Sequence, residues 1–219
     1  MIARLSKPLF RAGIAGVIAV AVPASLLAPA LPAAAANDPR FNQAVTALRS
    51  ITTMRASFTQ TDQNGQRVNG VLSLKQPGKI RFEYEKGVNM LIVGNGSSLM
   101  IIDYDVRQLS RIPFKNSPLG ALLDRTRDVG KYGKLIPTSN PDVISIEVRD
   151  PKKPEYGVIT LVMVKNGAAP GGFELASWVA LDAQNQRTTV RLSGQRYGVA
   201  IPDSTFRYVD PRVTTHRSG

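Results

Sequence analysis

The sequence of 219 residues has no cysteine, one histidine and one tryptophan. Without cysteine there can be no disulfide, no thiol nucleophile and no thiolate metal ligand. The single histidine, His216, falls in a polar stretch at the end of the chain. The body of the chain therefore has no Ser–His pair and no His–Cys metal cluster. Carboxylates occur in pairs, but in the wrong places for acid–base work. Glu83 and Glu85 lie two apart on the outward face of a strand pattern, and Asp103 and Asp105 flank a turn residue. A catalytic carboxylate needs an enclosed site that shifts its pKa, so these read as solvated charge. Gly94-x-Gly96 lacks the third glycine and the strand-to-helix setting of a dinucleotide loop. An enzyme is not expected, nor is a cofactor or a metal. No internal repeat and no interdomain linker is evident.

Long apolar runs are equally scarce. The exception follows Arg4, Lys7 and Arg11 and extends from Ala12 to Leu31, ahead of Pro32-Ala-Ala-Ala-Ala-Asn37. A basic start, an apolar middle and small residues at the cut describe a secretory signal peptide over residues 1–36. Cleavage is placed after Ala36, with the cut after Ala35 as the alternative. Pro23, Pro29 and Pro32 interrupt the run and no basic stop follows it closely, which argues against a membrane anchor. With no cysteine downstream, the exported chain has no residue for a lipid anchor. Removing the three basic residues of that segment leaves 25 Lys and Arg against 16 acids, a net charge of +9. Such a balance suits an acidic or anionic partner, but export and the dispersed basic residues argue against nucleic acid. What remains is expected to fold as one domain over residues 37–210. Residues 211–219 are expected to form a disordered polar tail.

The pattern along that domain is mostly of period two. Asp38-Pro39 opens a helix with Phe41, Val45, Leu48 and Ile51 on one stripe. Met54, Ala56 and Phe58 then alternate with polar residues, as do Gly70, Leu72 and Leu74. After the Pro77-Gly78 turn, Ile80, Phe82 and Tyr84 share one face, and Arg81, Glu83 and Glu85 the other. Met90–Val93 and Leu99–Ile102 are short apolar runs around a Gly94-Asn95-Gly96 hairpin. A strand over 107–112 follows. Ser117-Pro118 starts a second, short helix carrying Leu119, Leu122 and Leu123. Residues 124–133 read as loop or frayed helix. Strands resume at 143–148, 158–164, 175–181, 188–192 and 205–209. Many short antiparallel strands with two helices describe an α+β, mainly β chain: a large meandering sheet that must curl, with the helices covering its concave face.

Met54-Arg-Ala-Ser-Phe-Thr-Gln60, Gly70-Val-Leu-Ser-Leu-Lys-Gln-Pro-Gly-Lys-Ile-Arg-Phe-Glu-Tyr84 and Leu91-Ile-Val-Gly-Asn-Gly-Ser-Ser-Leu99, in that order after a signal peptide and a helix, resemble the LolA family of periplasmic outer-membrane lipoprotein carriers. Thr205-Phe-Arg-Tyr208 before Pro211 resembles the family's closing strand. The resemblance implies an unclosed antiparallel β-barrel whose short helices form a lid over a hydrophobic cavity for acyl chains. By position, Leu72, Leu74, Ile80 and Phe82 are implied on the cavity side, with Tyr84 at the mouth or in the core. Leu119, Leu122 and Leu123 are implied in the lid. Where the family often has tryptophan this chain has Met100, which keeps a lipid-facing role. Where the family commonly has an arginine whose contacts hold the lid shut, this chain has Gln76, with Lys75 or Lys79 as possible substitutes. The implied partners are acylated lipoproteins, a LolCDE-type inner-membrane exporter and an outer-membrane acceptor where one exists. The protein itself is expected to act as a soluble periplasmic monomer. Two other classes stay open: a related half-barrel that binds another amphiphile or senses lipoproteins, and a structural domain with a filled core.

Overall fold

The computed structural model describes residues 38–114, 118–124 and 128–212. The proposed signal peptide and residues 213–219 of the polar tail lie outside the described residues. The chain begins with helix α1 (Pro39–Ser50), followed by β1 (Thr53–Thr61), β2 (Arg67–Lys75), β3 (Lys79–Tyr84), β4 (Met90–Asn95), β5 (Ser98–Asp103) and β6 (Gln108–Pro113). The short helix α2 (Pro118–Leu123) comes next. It precedes β7 (Gly133–Ile136), β8 (Val143–Arg149), β9 (Val158–Lys165), β10 (Phe173–Leu181) and β11 (Arg187–Tyr197). All eleven strands form one antiparallel sheet in the order β6-β5-β4-β3-β2-β1-β11-β10-β9-β8-β7. Two meanders, β1–β6 and β7–β11, are thus joined where β11 pairs with β1. The outermost strands, β6 and β7, are not paired with each other, so the barrel is open. The segment that connects these two edges contains α2.

Helix α1 starts where Asp38 Oδ1 accepts the Arg40 backbone N–H at 2.8 Å, with Pro39 in the first turn. It ends as the chain turns extended at Ile51. Its buried stripe of Phe41, Ala44, Val45 and Ala47 joins the main core, together with Met54, Phe58, Leu72, Phe82, Ile146 and Val190 from the inward face of the sheet. Gly133 on β7 lets α1 approach, because a Cβ there would lie 2.6 Å from the Phe41 ring. Gly70 does the same for Phe58: a Cβ on Gly70 would lie 2.6 Å from that ring. Phe58 lies edge-on to Phe82 (centroids 5.4 Å apart) and to Tyr84 (5.3 Å). This arrangement suits the charge distribution of aromatic rings.

A second apolar cluster lies on the opposite face of β4 and β5. Leu91, Val93, Met100 and Ile102 are covered there by Ile201 and Phe206 of the C-terminal segment. The pairing Leu91↔Ile102 and Val93↔Met100 alternates with Ile92↔Ile101 and Gly94↔Leu99. Strands β4 and β5 therefore carry apolar side chains on both faces, which explains their unbroken apolar runs.

Two expectations are corrected here. Residues 205–209 do not form a strand. Asp203–Phe206 is a 3-10 turn that drops Phe206 into the outer cluster, and Arg81 Nη1 donates to the Arg207 carbonyl at 3.1 Å. Gly133–Ile136, read as loop or left unassigned, is the edge strand β7. It is only four residues long and shows too little alternation to be recognised.

The C-terminal segment is tied down by charge as well. Asp203 Oδ1 lies 2.7 Å from Lys75 Nζ and 3.0 Å from Lys79 Nζ. Hydrogen bonds from these lysines pull the Asp203 carboxyl down to about 2. A carboxyl with a depressed folded pKa contributes stability above its unfolded value, near 3.9, and loses it as pH falls through the folded value. Between about pH 4 and pH 2, native thermal stability should therefore decline more steeply than in Asp203→Asn, and the two should converge at the acid end. Parallel melting curves across that window would refute the linkage.

Candidate functional site

Between the two halves of the curled sheet lies a cavity of about 630 Å³, within the range of ~300–1,000 Å³ typical of ligand clefts. Its walls come from both meanders and both helices. Ile92, Leu99, Ile101 and Ile112 project from β4–β6, and Leu161 and Trp178 face them from β9 and β10. Leu48 of α1 and Leu122 and Leu123 of α2 close one side. Most of these inward-facing apolar side chains are only half-buried, unlike the fully buried Phe41, Phe58 or Ile146 nearby. Inward apolar groups that remain partly uncovered mark space that the protein's own side chains leave unfilled.

The residues singled out from sequence fall into three groups. Leu74, Phe82, Leu122 and Leu123 line the cavity. Leu72, Ile80 and Tyr84 lie on the same inward face, through the pairs Leu72↔Phe82, Leu74↔Ile80 and Gly70↔Tyr84. They are buried in the core that forms the wall rather than lining the space. Met100 is a correction. It projects from the other face of β5 and is 2% exposed within the outer cluster. The parity of the strand excludes it from the cavity, to which its neighbours Leu99 and Ile101 point instead. The side chain of Leu119 lies outside the described residues.

The turn before β3 also differs from expectation. Gln76 Oε1 accepts the Gly78 N–H within its own turn, at a long 3.4 Å. A contact to α2 comes from the backbone: the Gly78 N–H donates to the Leu123 carbonyl at 2.7 Å. That bond satisfies one of the carbonyls that a helix end leaves open. Lys75 and Lys79 are both engaged by Asp203.

Sequence reasoning missed three features. Trp178, the sole tryptophan, lines the cavity from β10 and lies edge-on to Phe82, centroids 5.8 Å apart. Leu48 extends the α1 stripe into the cavity. Gln60 also lines it, paired with Tyr84, whose hydroxyl donates to Gln60 Oε1 at 2.8 Å. Burial pushes the Tyr84 phenol up to about 12, so it stays protonated and can donate.

Most of the polar lining residues gather at one end. Gln60 sits near the β1–β2 turn, Glu155 and Tyr156 in the β8–β9 connection, and Asp182 and Gln186 in the β10–β11 turn. The antiparallel order puts these turns together at the same end of the sheet, and α2 with the β2–β3 turn at the other. The cavity is thus mainly apolar at the α2 end, Arg111 apart, and polar at the other. Among the described residues no group of three or more His, Cys, Asp or Glu could hold a metal, and no helix is long and apolar enough to cross a membrane.

Residues 49–209 match the family described as Outer membrane lipoprotein carrier protein LolA. An outer-membrane lipoprotein carrier protein of Chromobacterium violaceum is 30% identical over 221 residues, spanning 97% of this chain and 99% of the relative. One from Xanthomonas campestris pv. campestris is 29% identical over 196 residues, covering 84% and 90%. The crystal structure of a LolA superfamily protein from Nitrosomonas europaea aligns with a TM-score of 0.42 at 11% identity, covering 76% of this chain and 97% of that one. The chain belongs to the LolA family of outer-membrane lipoprotein carrier proteins.

Proposed function

We propose that this protein is a periplasmic carrier that shields the acyl chains of lipoproteins between the inner and outer membranes. The observation that carries this reading is the set of half-buried apolar side chains around a cavity of about 630 Å³. The relatives' names supply the cargo class. Acyl chains have almost no hydrogen-bonding capacity, so a carrier needs apolar area rather than catalytic geometry. Each CH₂ withdrawn from water contributes about 0.8 kcal/mol, so a few shielded segments give useful affinity. Release requires a competitor. Leu122 and Leu123 sit on a six-residue helix whose last residue accepts a backbone hydrogen bond from Gly78 in the β2–β3 turn. Packed inward, they occupy the same apolar surface as the cargo and limit net affinity.

The net charge of +9 left after signal-peptide removal gives long-range attraction to an acidic partner. A LolCDE-type exporter would supply the lipoproteins, and an outer-membrane acceptor, where one exists, would receive them. The reading is tested by mass spectrometry of material that copurifies with the native protein from periplasm. Acylated lipoproteins are the expected finding. A non-protein amphiphile alone would favour a different half-barrel role, and no amphiphile at all would overturn the carrier.

A further inference from the structure

We propose that Gln60 is a specificity-determining residue at the rim of the cavity, where its side-chain amide donates a hydrogen bond to the carbonyl that joins an acyl chain to its polar head. The proposal rests on the acyl-binding reading and deepens it. The cavity then selects ester- or amide-linked acyl chains over alkyl chains that lack a carbonyl.

The inward face of β1 runs Met54, Ala56, Phe58, Gln60. Three apolar residues are followed by an amide in the same orientation. An inward amide is costly unless its polar atoms find partners. One half is satisfied, because the Tyr84 hydroxyl donates to Oε1 at 2.8 Å. Tyr84 is itself fixed by its edge-on packing against Phe58. Holding Oε1 on Tyr84 turns the NH₂ group away from it. That NH₂ group has no acceptor among the described residues, and it is not one of the fully buried atoms left without a partner. It is therefore accessible, on a residue that lines the cavity.

The surroundings set the direction in which a ligand would lie. Val190 on β11 is paired with Gln60, and Thr188, two residues earlier on the same face, adds a hydroxyl to the rim. Asp182 is held in its own turn, where its Oδ1 accepts the Gln184 and Gln186 N–H groups at 2.9 Å each. Toward α2 the lining is mainly Leu74, Phe82, Leu122 and Leu123, and the Arg111 Nε there donates to Ser98 Oγ at 2.9 Å. An acyl chain entering methyl end first meets mainly apolar walls, and its carbonyl stops at the level of Gln60. A carbonyl oxygen accepts well, whereas the oxygen of an ether is a poorer acceptor and lacks the C=O geometry.

The test uses two fluorescent phospholipid probes with the same headgroup and chain length, one with ester-linked and one with ether-linked chains. The mature protein is titrated with each. Wild type should bind the ester probe about tenfold more tightly, as expected for one well-placed hydrogen bond. Gln60→Leu, close in size and apolar, should lose this preference by weakening for the ester probe while retaining the ether probe. Tyr84→Phe leaves the amide in place but removes the bond that orients it, and should reduce the preference without reversing it. It also serves as the independent variant if Gln60→Leu fails to fold. Equal binding of both probes by wild type, or a full ester preference in Gln60→Leu or Tyr84→Phe, would overturn the proposal. Binding of neither probe would instead overturn the acyl-cavity reading, and the proposal with it.

Discussion

Ile101→Glu is expected to abolish acyl-chain uptake while leaving the protein folded, and Met100→Glu, one residue earlier, to unfold it. The two side chains leave β5 on opposite faces. Ile101 is half-buried and projects into the cavity, where a carboxylate can keep water around it when no cargo is bound. Its stability cost should be no more than ~1 kcal/mol, but a charge where an alkyl chain must lie removes the apolar wall. Met100 is 2% exposed between Val93 and the C-terminal cover. A carboxylate there has no water and no partner, which costs several kcal/mol against a total stability of roughly 5–15. Lipoprotein release from spheroplasts measures the first effect and thermal unfolding of both variants the second. Normal release by a folded Ile101→Glu would remove the cavity from the function. Phe82 is a less clean probe, because its ring contacts both Phe58 and Trp178, so a charge there would affect folding and binding together.

Phe58→Ala should produce the largest loss of stability from truncating a single side chain, about 3–5 kcal/mol as for other fully buried phenylalanines. Phe58 is 2% exposed, covers Gly70, and makes edge contacts with both Phe82 and Tyr84. Each such contact contributes ~0.5–1.5 kcal/mol beyond area burial. Neither partner is placed to fill the gap, since Tyr84 is held by Gln60. Urea unfolding should show a lower midpoint with little change in slope, the mark of a native-state loss. A loss below about 1 kcal/mol would mean that the cavity collapses inward to compensate.

Period-two alternation made the inward face of β1–β3 legible, because those strands bury one face and solvate the other. Ile80, Phe82 and Tyr84 lie on that face. The same rule fails in β4 and β5. Both faces there are apolar, so alternation cannot say which face meets the cavity, and the family position assigned Met100 to the wrong side. Ile101 and Leu99 were the correct choices, and only the register with Ile92 and Gly94 distinguishes them. Trp178 was overlooked because it falls in an apolar stretch whose orientation depends on pairing with Val190, across a sheet order no local pattern reveals. The Gln60–Tyr84 bond joins residues 24 apart. It reaches across β2, which lies between β1 and β3 in the sheet, and a lone Gln at the end of a strand pattern gives no sign of it.

Among the described residues, the edges of the sheet, β6 and β7, share no ladder of hydrogen bonds, and α2 lies between them in the chain. In a closed barrel, strand number and stagger fix the bore, and widening it would break backbone hydrogen bonds. No such constraint fixes the separation of the two edges here, since drawing them apart would break no strand pair. The interior is therefore a volume with one compliant side. The ladders that hold the fold together set no fixed bore, because neither edge strand is hydrogen-bonded to the other.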